Sequence, residues 1–200
     1  EKKAASLLFA QRRKMDKIKE YETHMEMYLS LPKGGVGAEI GVCKGFNATL
    51  LWHILKPSKL YLCDIWEERS PDAYLIETPE LWYDDHSALV GKLFAEEIQD
   101  GKVELHKEYG GNFLYGLEND SLDWVYLDSL HDYKTLEIEI ENSLHKVKKG
   151  GIIMGHDYMS HPQVWRTGVI RAVNDFIQAG KIKMIGITIQ KYPSWMCEVL

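Results

Sequence analysis

Cysteine is scarce and unpatterned in this sequence: Cys43, Cys63 and Cys197 are odd in number and form no C-x-x-C pair. That excludes a disulfide framework and points to a reducing, cytoplasmic setting, with all three thiols expected reduced and buried. No apolar run approaches the ~18 residues of a membrane span, and no signal peptide is recognisable. The chain opens on Glu1 rather than methionine, as a trimmed or partial sequence would. Positive charge is also short, since 24 Lys and Arg stand against 30 Asp and Glu for a net charge of −6. A duplex-binding surface needs clustered cations facing phosphates, so neither a nucleic-acid nor a membrane partner is expected. Repeats and low-complexity tracts are missing too. What is there, 45% hydrophobic and 27% charged over 200 residues, suits one soluble domain with a proper core.

Glycine and proline are absent from the first 31 residues, where Ala4, Leu8, Met15, Ile18, Met25 and Leu29 recur at steps of four, three or their sum of seven. The spacing predicts a long amphipathic helix over 1–31, basic in its first two-thirds, ahead of a domain over 32–200. Its apolar stripe is expected to pack on that domain, with a homo-oligomer contact as the alternative.

From Gly34 to Trp66 the pattern is strand, turn, helix, strand. Val36 to Ile40 is a short apolar run broken only by Glu39, and a turn with Gly41 and Gly45 follows. Phe46, Leu50, Leu51, Ile54 and Leu55 then keep helical spacing until Pro57, and Leu60 to Ile65 is a second strand carrying Asp64. Such a βαβ unit builds a nucleoside pocket at its strand tips. A dinucleotide fingerprint is lacking, because the position between the two glycines is Cys43 and Glu39 would repel a pyrophosphate. A ligand with a ribose, an adenine and a positive centre but no phosphate fits better, and S-adenosylmethionine has these features. Asp64, 23 residues past Gly41, stands near the usual interval for an acid that takes ribose hydroxyls. Glu39 would face the ammonium of the methionine part.

Further along, 66–84 is an irregular aromatic stretch suited to a lid or acceptor wall. Helices are predicted over 85–99, 113–117, 133–148 and 164–179, and strands over 103–106, 122–127, 152–154, 182–189 and 195–200. Asp128 and Asp157 join Glu39 and Asp64 at predicted strand tips, with His131 and His156 beside them. The acids Glu137, Glu139 and Glu141 read as a flank without a functional role. The other histidines receive none either, although His161 follows the site loop closely.

The motifs E-I-G-V-x-x-G at 39–45, L-D-W-V-Y-L-D-S-L-H-D-Y at 122–133 and G-G-I-I-M-G-H-D-Y at 150–158 resemble those of class I S-adenosylmethionine-dependent methyltransferases. Within that class the chain is most similar to the small bacterial group that often modifies sugars or secondary metabolites. The resemblance implies an α/β fold with a Rossmann-like, doubly wound, mostly parallel sheet of seven strands in the order 3-2-1-4-5-7-6, ending in an antiparallel hairpin strand. It implies cofactor contacts from Glu39, Gly41, Val42, Gly45, Asp64, Ile65 and Asp128, and from Tyr109, Gly111 and Asn112 where the chain passes the adenine. It implies His131 as catalytic base, three residues after Asp128 as in the cation-dependent, catechol-type relatives. Asp157 and His156 complete the expected catalytic set.

Asp128 and Asp157 are candidate ligands for Mg²⁺, which takes carboxylate oxygens. His156 departs from the pair of oxygen ligands such relatives carry, and a histidine shifts preference toward a transition metal. The expected reaction is O-methylation of a small hydroxylated acceptor such as a sugar, with N-methylation or a non-catalytic binding domain as alternatives.

Overall fold

Strand tips from four neighbouring parallel strands meet along one edge of this molecule, and the rest of the chain serves to hold them level. The computed structural model describes residues 18–66, 86–159 and 168–200. Its strands are β1 (Lys19–Tyr21), β2 (Val36–Ile40), β3 (Lys59–Asp64), β4 (Val103–Lys107), β5 (Leu122–Leu127), β6 (Val147–Gly155), β7 (Ile182–Thr188) and β8 (Trp195–Val199). Its helices are α1 (His24–Leu29), α2 (Phe46–Leu55), α3 (His86–Leu93), α4 (Ala95–Gln99), α5 (Gly110–Gly116), α6 (Tyr133–Lys146) and α7 (Val169–Gln178). The strands form one sheet in the order β1-β7-β8-β6-β5-β2-β3-β4. All neighbours run parallel except β8, which lies antiparallel between β6 and β7. Read from β4, this is the expected seven-strand order with an eighth strand added at the far edge.

Both faces of the sheet are covered, which is why β2 reads as a continuous apolar run rather than an alternation. Phe113, Leu114, Leu136, Ile140, Ala172 and Val173 of α5, α6 and α7 pack on one face. Met27, Tyr28, Leu51, Leu55 and Val90 of α1, α2 and α3 pack on the other. Leu51 and Leu55 are completely buried, a burial that contributes about 1.5–3 kcal/mol for each side chain.

The helix expected over 1–31 is corrected where it is described. Lys19–Tyr21 is a strand paired with Gly186–Thr188 of β7, and α1 starts afresh behind the Thr23 cap, whose hydroxyl accepts from the Glu26 amide. The expected stripe residues Ile18, Met25 and Leu29 are the exposed ones, whereas Met27 and Tyr28 are fully buried. An open edge of β7 offers unpaired backbone groups, and pairing with it breaks the helical phase. Residues 1–17 lie outside the described residues, as do His161 and everything in the aromatic stretch beyond Trp66.

Smaller differences have local causes. The helix expected over 85–99 divides at Phe94, whose backbone leaves the helical region while its ring is buried edge-on against Trp52. The short helix starts at Gly110, three residues earlier than expected, and the fifth core strand extends back to Val147 past a register shift opposite Leu122 and Trp124. Cys63 and Cys197 are buried, but Cys43 is exposed, because it sits in a turn at a φ of 50° rather than on a strand. Among the described residues no helix is long and apolar enough to cross a membrane.

Candidate active site

The turn after β2 is built against the tip of β5. Gly41 adopts a φ of 89°, and a Cβ there would stand 2.1 Å from the Asp128 carbonyl oxygen. Only glycine combines that conformation with that approach. The Gly41 amide donates to the Cys63 carbonyl at 2.8 Å, and the Asp128 amide donates to the Ile40 carbonyl at 2.7 Å, so β2, β3 and β5 end together. Gly45, at a φ of 80°, opens α2.

Asp64 closes this turn from the end of β3. One of its carboxylate oxygens accepts the Cys43 amide at 2.8 Å and the other accepts the Trp66 amide at 2.9 Å, while the Trp66 indole donates to the Cys43 carbonyl at 3.0 Å. Each oxygen keeps a further lone pair for an incoming hydroxyl. Val42 is buried in the core, which leaves its backbone as the part that borders the turn. Ile65 is half-buried beside Asp64. Tyr109, Gly111 and Asn112 lie at the start of α5. Gly110 brings that start onto the tip of β2, since a Cβ on it would stand 2.1 Å from Ile40 Cγ2.

Glu39 stands one residue inside β2 rather than at its end, and it is fully buried. Its Oε1 accepts from Asn47 Nδ2 at 2.9 Å, and Asn47 Oδ1 accepts from the Tyr28 hydroxyl at 2.8 Å. Among the described residues Oε2 has no hydrogen-bond partner. Burial raises the Glu39 carboxyl well above the carboxylate range against the bond from Asn47, and the charges of Asp128 and Asp64 add to the rise. An orphaned buried oxygen calls for a donor, and an ammonium group would supply one.

Beyond β5 and β6 the two aspartates and two histidines converge. His131 Nε2 lies 3.1 Å from Asp128 Oδ1 and 3.5 Å from Asp157 Oδ2. His156 Nδ1 lies 3.2 Å from Asp157 Oδ1 and 3.8 Å from Asp128 Oδ1. Burial works against the charged imidazole of His131, but the hydrogen bond and charge of Asp128, then Asp157 and Glu139, outweigh it and raise its pKa. Asp157 holds a φ of 55°, rare for a residue with a side chain.

The donor set does not fit Mg²⁺. An imidazole stands between the two carboxylates that were expected to hold the ion. Among the described residues, the atoms that approach one another within 4.8 Å in the pattern of a metal site come from Asp128, His131 and His156. Two nitrogens in three donors contradict the oxygen preference of that cation.

Glu139 was missed as a site residue. It is buried on α6, and its Oε1 accepts from the Ser129 hydroxyl at 2.6 Å, beneath the loop that carries Asp128 and His131. The signal was present, because Leu136, Glu139, Ile140 and Ser143 share one face of a helix and all are buried. Burial raises its carboxyl to about 8, against the Ser129 bond and the nearby His131. The folded protein therefore keeps this proton up to about 8, whereas the unfolded chain releases it near 4.5. The stability contributed is complete below the lower value and is lost as pH rises toward the higher one. Glu139→Gln is expected to flatten the stability profile across that window, measured by urea denaturation at stepped pH. An unchanged slope would mean that Glu139 titrates as an exposed acid.

A family model for a methyltransferase domain matches residues 38–158. No curated protein matches the chain. Among solved structures, a candidate rRNA methylase from Clostridium thermocellum is similar over 88% of this chain and 93% of its own, with 13% identity and a TM-score of 0.62. The Streptococcus mutans protein SMU.1697c, solved in complex with SAH, is similar over 88% of this chain and 96% of its own, with 13% identity and a TM-score of 0.60. The B. subtilis tRNA methyltransferase TrmK is similar over 92% of this chain and 68% of its own, with 11% identity and a TM-score of 0.57. At such identities the likeness shows the fold alone.

Proposed function

This chain belongs to that methyltransferase-domain family, and we propose from this premise that it uses S-adenosylmethionine to methylate a hydroxyl oxygen on a small acceptor. The observation that carries the reading is the position of His131, with Nε2 between two strand-tip carboxylates beside a glycine turn lined by acids. When bound, the cofactor supplies an electrophilic methyl group on a positive sulfonium. Asp64 accepts the ribose hydroxyls, the orphaned Oε2 of Glu39 and the Gly41–Gly45 turn face the ammonium end, and α5 from Tyr109 to Asn112 borders the adenine. His131 takes the proton from the acceptor hydroxyl, and Asp128 orients it and stabilises the imidazolium that forms. Asp157 offers a second carboxylate to the same cation.

An oxygen nucleophile is favoured because a neutral amine needs no base to attack, whereas a hydroxyl must lose its proton. An acceptor without phosphate is favoured because the carboxylates of Asp64, Asp128 and Asp157 line this edge. The RNA acceptors of the structural neighbours therefore do not carry over.

Calorimetric titration of the full chain with S-adenosylhomocysteine tests the cofactor half. Asp64→Ala is expected to weaken binding by about 10²- to 10⁴-fold, since two hydrogen bonds to a charged oxygen are lost at ~1.5–3 kcal/mol each. Asp64→Asn, which retains one carbonyl acceptor, should fall in between. Equal affinities across all three proteins would place the ribose elsewhere, and no heat with the unaltered chain would end the reading.

A further inference from the structure

We propose that Asp128, His131 and His156 form a binding site for one borderline divalent ion of the Zn²⁺ class, and that its occupancy turns methyl transfer off. The second half rests on the proposed role of His131 as base, and the first does not.

The geometry is that of ligands around a missing centre. An ion bound tetrahedrally at the usual 2.0–2.2 Å to nitrogen and oxygen places its ligands roughly 3.4 Å apart. His131 Nε2 and Asp128 Oδ1 are 3.1 Å apart, and His156 Nδ1 and Asp128 Oδ1 are 3.8 Å apart. All three donor atoms lie within 4.8 Å of one another. Asp157 adds a fourth side chain, the second carboxylate, at 3.2 and 3.5 Å from the two imidazoles. Among the described residues its buried Oδ1 has no hydrogen-bond partner despite that approach to His156 Nδ1. A buried oxygen that faces an imidazole without bonding to it is what a side chain aimed at a common third point looks like. The four side chains are 21–30% exposed, so an ion can reach them.

The mixture of donors selects the ion. Imidazole nitrogen with carboxylate oxygen suits Zn²⁺ and Co²⁺, whereas Mg²⁺ demands oxygen and keeps its water. A nitrogen that coordinates a metal has no lone pair left for a proton. A metal on Nε2 would displace its bond to Asp128 and leave the ring proton on Nδ1, so neither nitrogen of His131 could then take a proton, and the ion acts as a reversible off-switch.

The test uses the full chain after chelator treatment, titrated with Co²⁺ as the spectroscopic probe. One equivalent should develop visible absorption bands of low-coordinate cobalt. Zn²⁺ should displace it at least 100-fold more effectively than Mg²⁺, and His131→Gln and His156→Gln should each weaken binding at least tenfold. Absent bands, comparable displacement by Mg²⁺, or unchanged binding in both variants (an adventitious surface ion) would each overturn the site. In turnover assays Zn²⁺ should inhibit where Mg²⁺ does not, and activation by Zn²⁺ would overturn the switch. S-adenosylhomocysteine binding, measured on the same metal-free protein, separates the two readings. If it fails while cobalt still binds, the methyltransfer reading falls and the metal site stands.

Discussion

His131→Ala is expected to lower turnover by about 10²- to 10⁴-fold, the range over which a positioned general base contributes, while affinity for S-adenosylhomocysteine changes little. The split follows from where the residue stands. Its imidazole faces Asp128 and Asp157 beyond β5 and β6, whereas Asp64, the residue proposed to take the ribose, is bonded into the turn after β2. The proposed cofactor contacts therefore lie apart from His131, and the variant loses the imidazole whose Nε2 Asp128 and Asp157 hold. Without that imidazole the two carboxylates face each other with less compensation, so a thermal melt of the variant must accompany the kinetics. His131→Gln preserves a hydrogen-bond donor for Asp128 but cannot take the proton, and it should be nearly as slow as the alanine variant. A loss below about tenfold in both, with cofactor binding intact, would remove His131 from the mechanism.

Gly41→Ala should destabilise the protein strongly. Its Cβ would meet the Asp128 carbonyl oxygen at 2.1 Å, the Asp128 carbonyl carbon at 2.4 Å and the Ser129 amide nitrogen at 2.6 Å. These are backbone atoms, and the Asp128 amide is itself bonded to the Ile40 carbonyl, so no rotamer change can make room. The φ of 89° adds strain that an L side chain rarely accepts. Together the clash and the backbone strain are expected to cost about 3 kcal/mol or more. In a chain of this size that lowers the melting temperature by about 6–12 °C. The displaced segment carries Asp128, so cofactor binding and turnover should fall with stability. A melting temperature within about 2 °C of the unaltered chain would show that the turn does not pass over β5 in this way.

How much of this was legible from residues alone differed by element. The βαβ unit and the acids at or near the strand ends follow from apolar periodicity and from glycines at a turn, whereas the seven-strand order came from the resemblance that the motifs carry. The N-terminal stretch was misread, because a helical stripe scores the same whether or not a sheet edge is waiting to capture part of it. Ile18, Met25 and Leu29 match the stripe and are exposed, while Tyr21 is buried at the strand and Met27 and Tyr28 are buried in the helix that follows. Glu139 was passed over in an acidic flank although its helical position lies on the buried face. The Mg²⁺ expectation failed on placement, since spacing alone said nothing about an imidazole entering between Asp128 and Asp157.

Local sequence determined the elements and the residue types at the sheet's rim, because periodicity and turn chemistry act within a few residues. Only the tertiary structure decided which of those residues meet, how deeply Glu39 and Glu139 are buried, and that two imidazoles join the two carboxylates of the Asp128 cluster. Those are properties of distance and desolvation between segments far apart in the chain, and burial and pairing arise only once the strands are laid side by side.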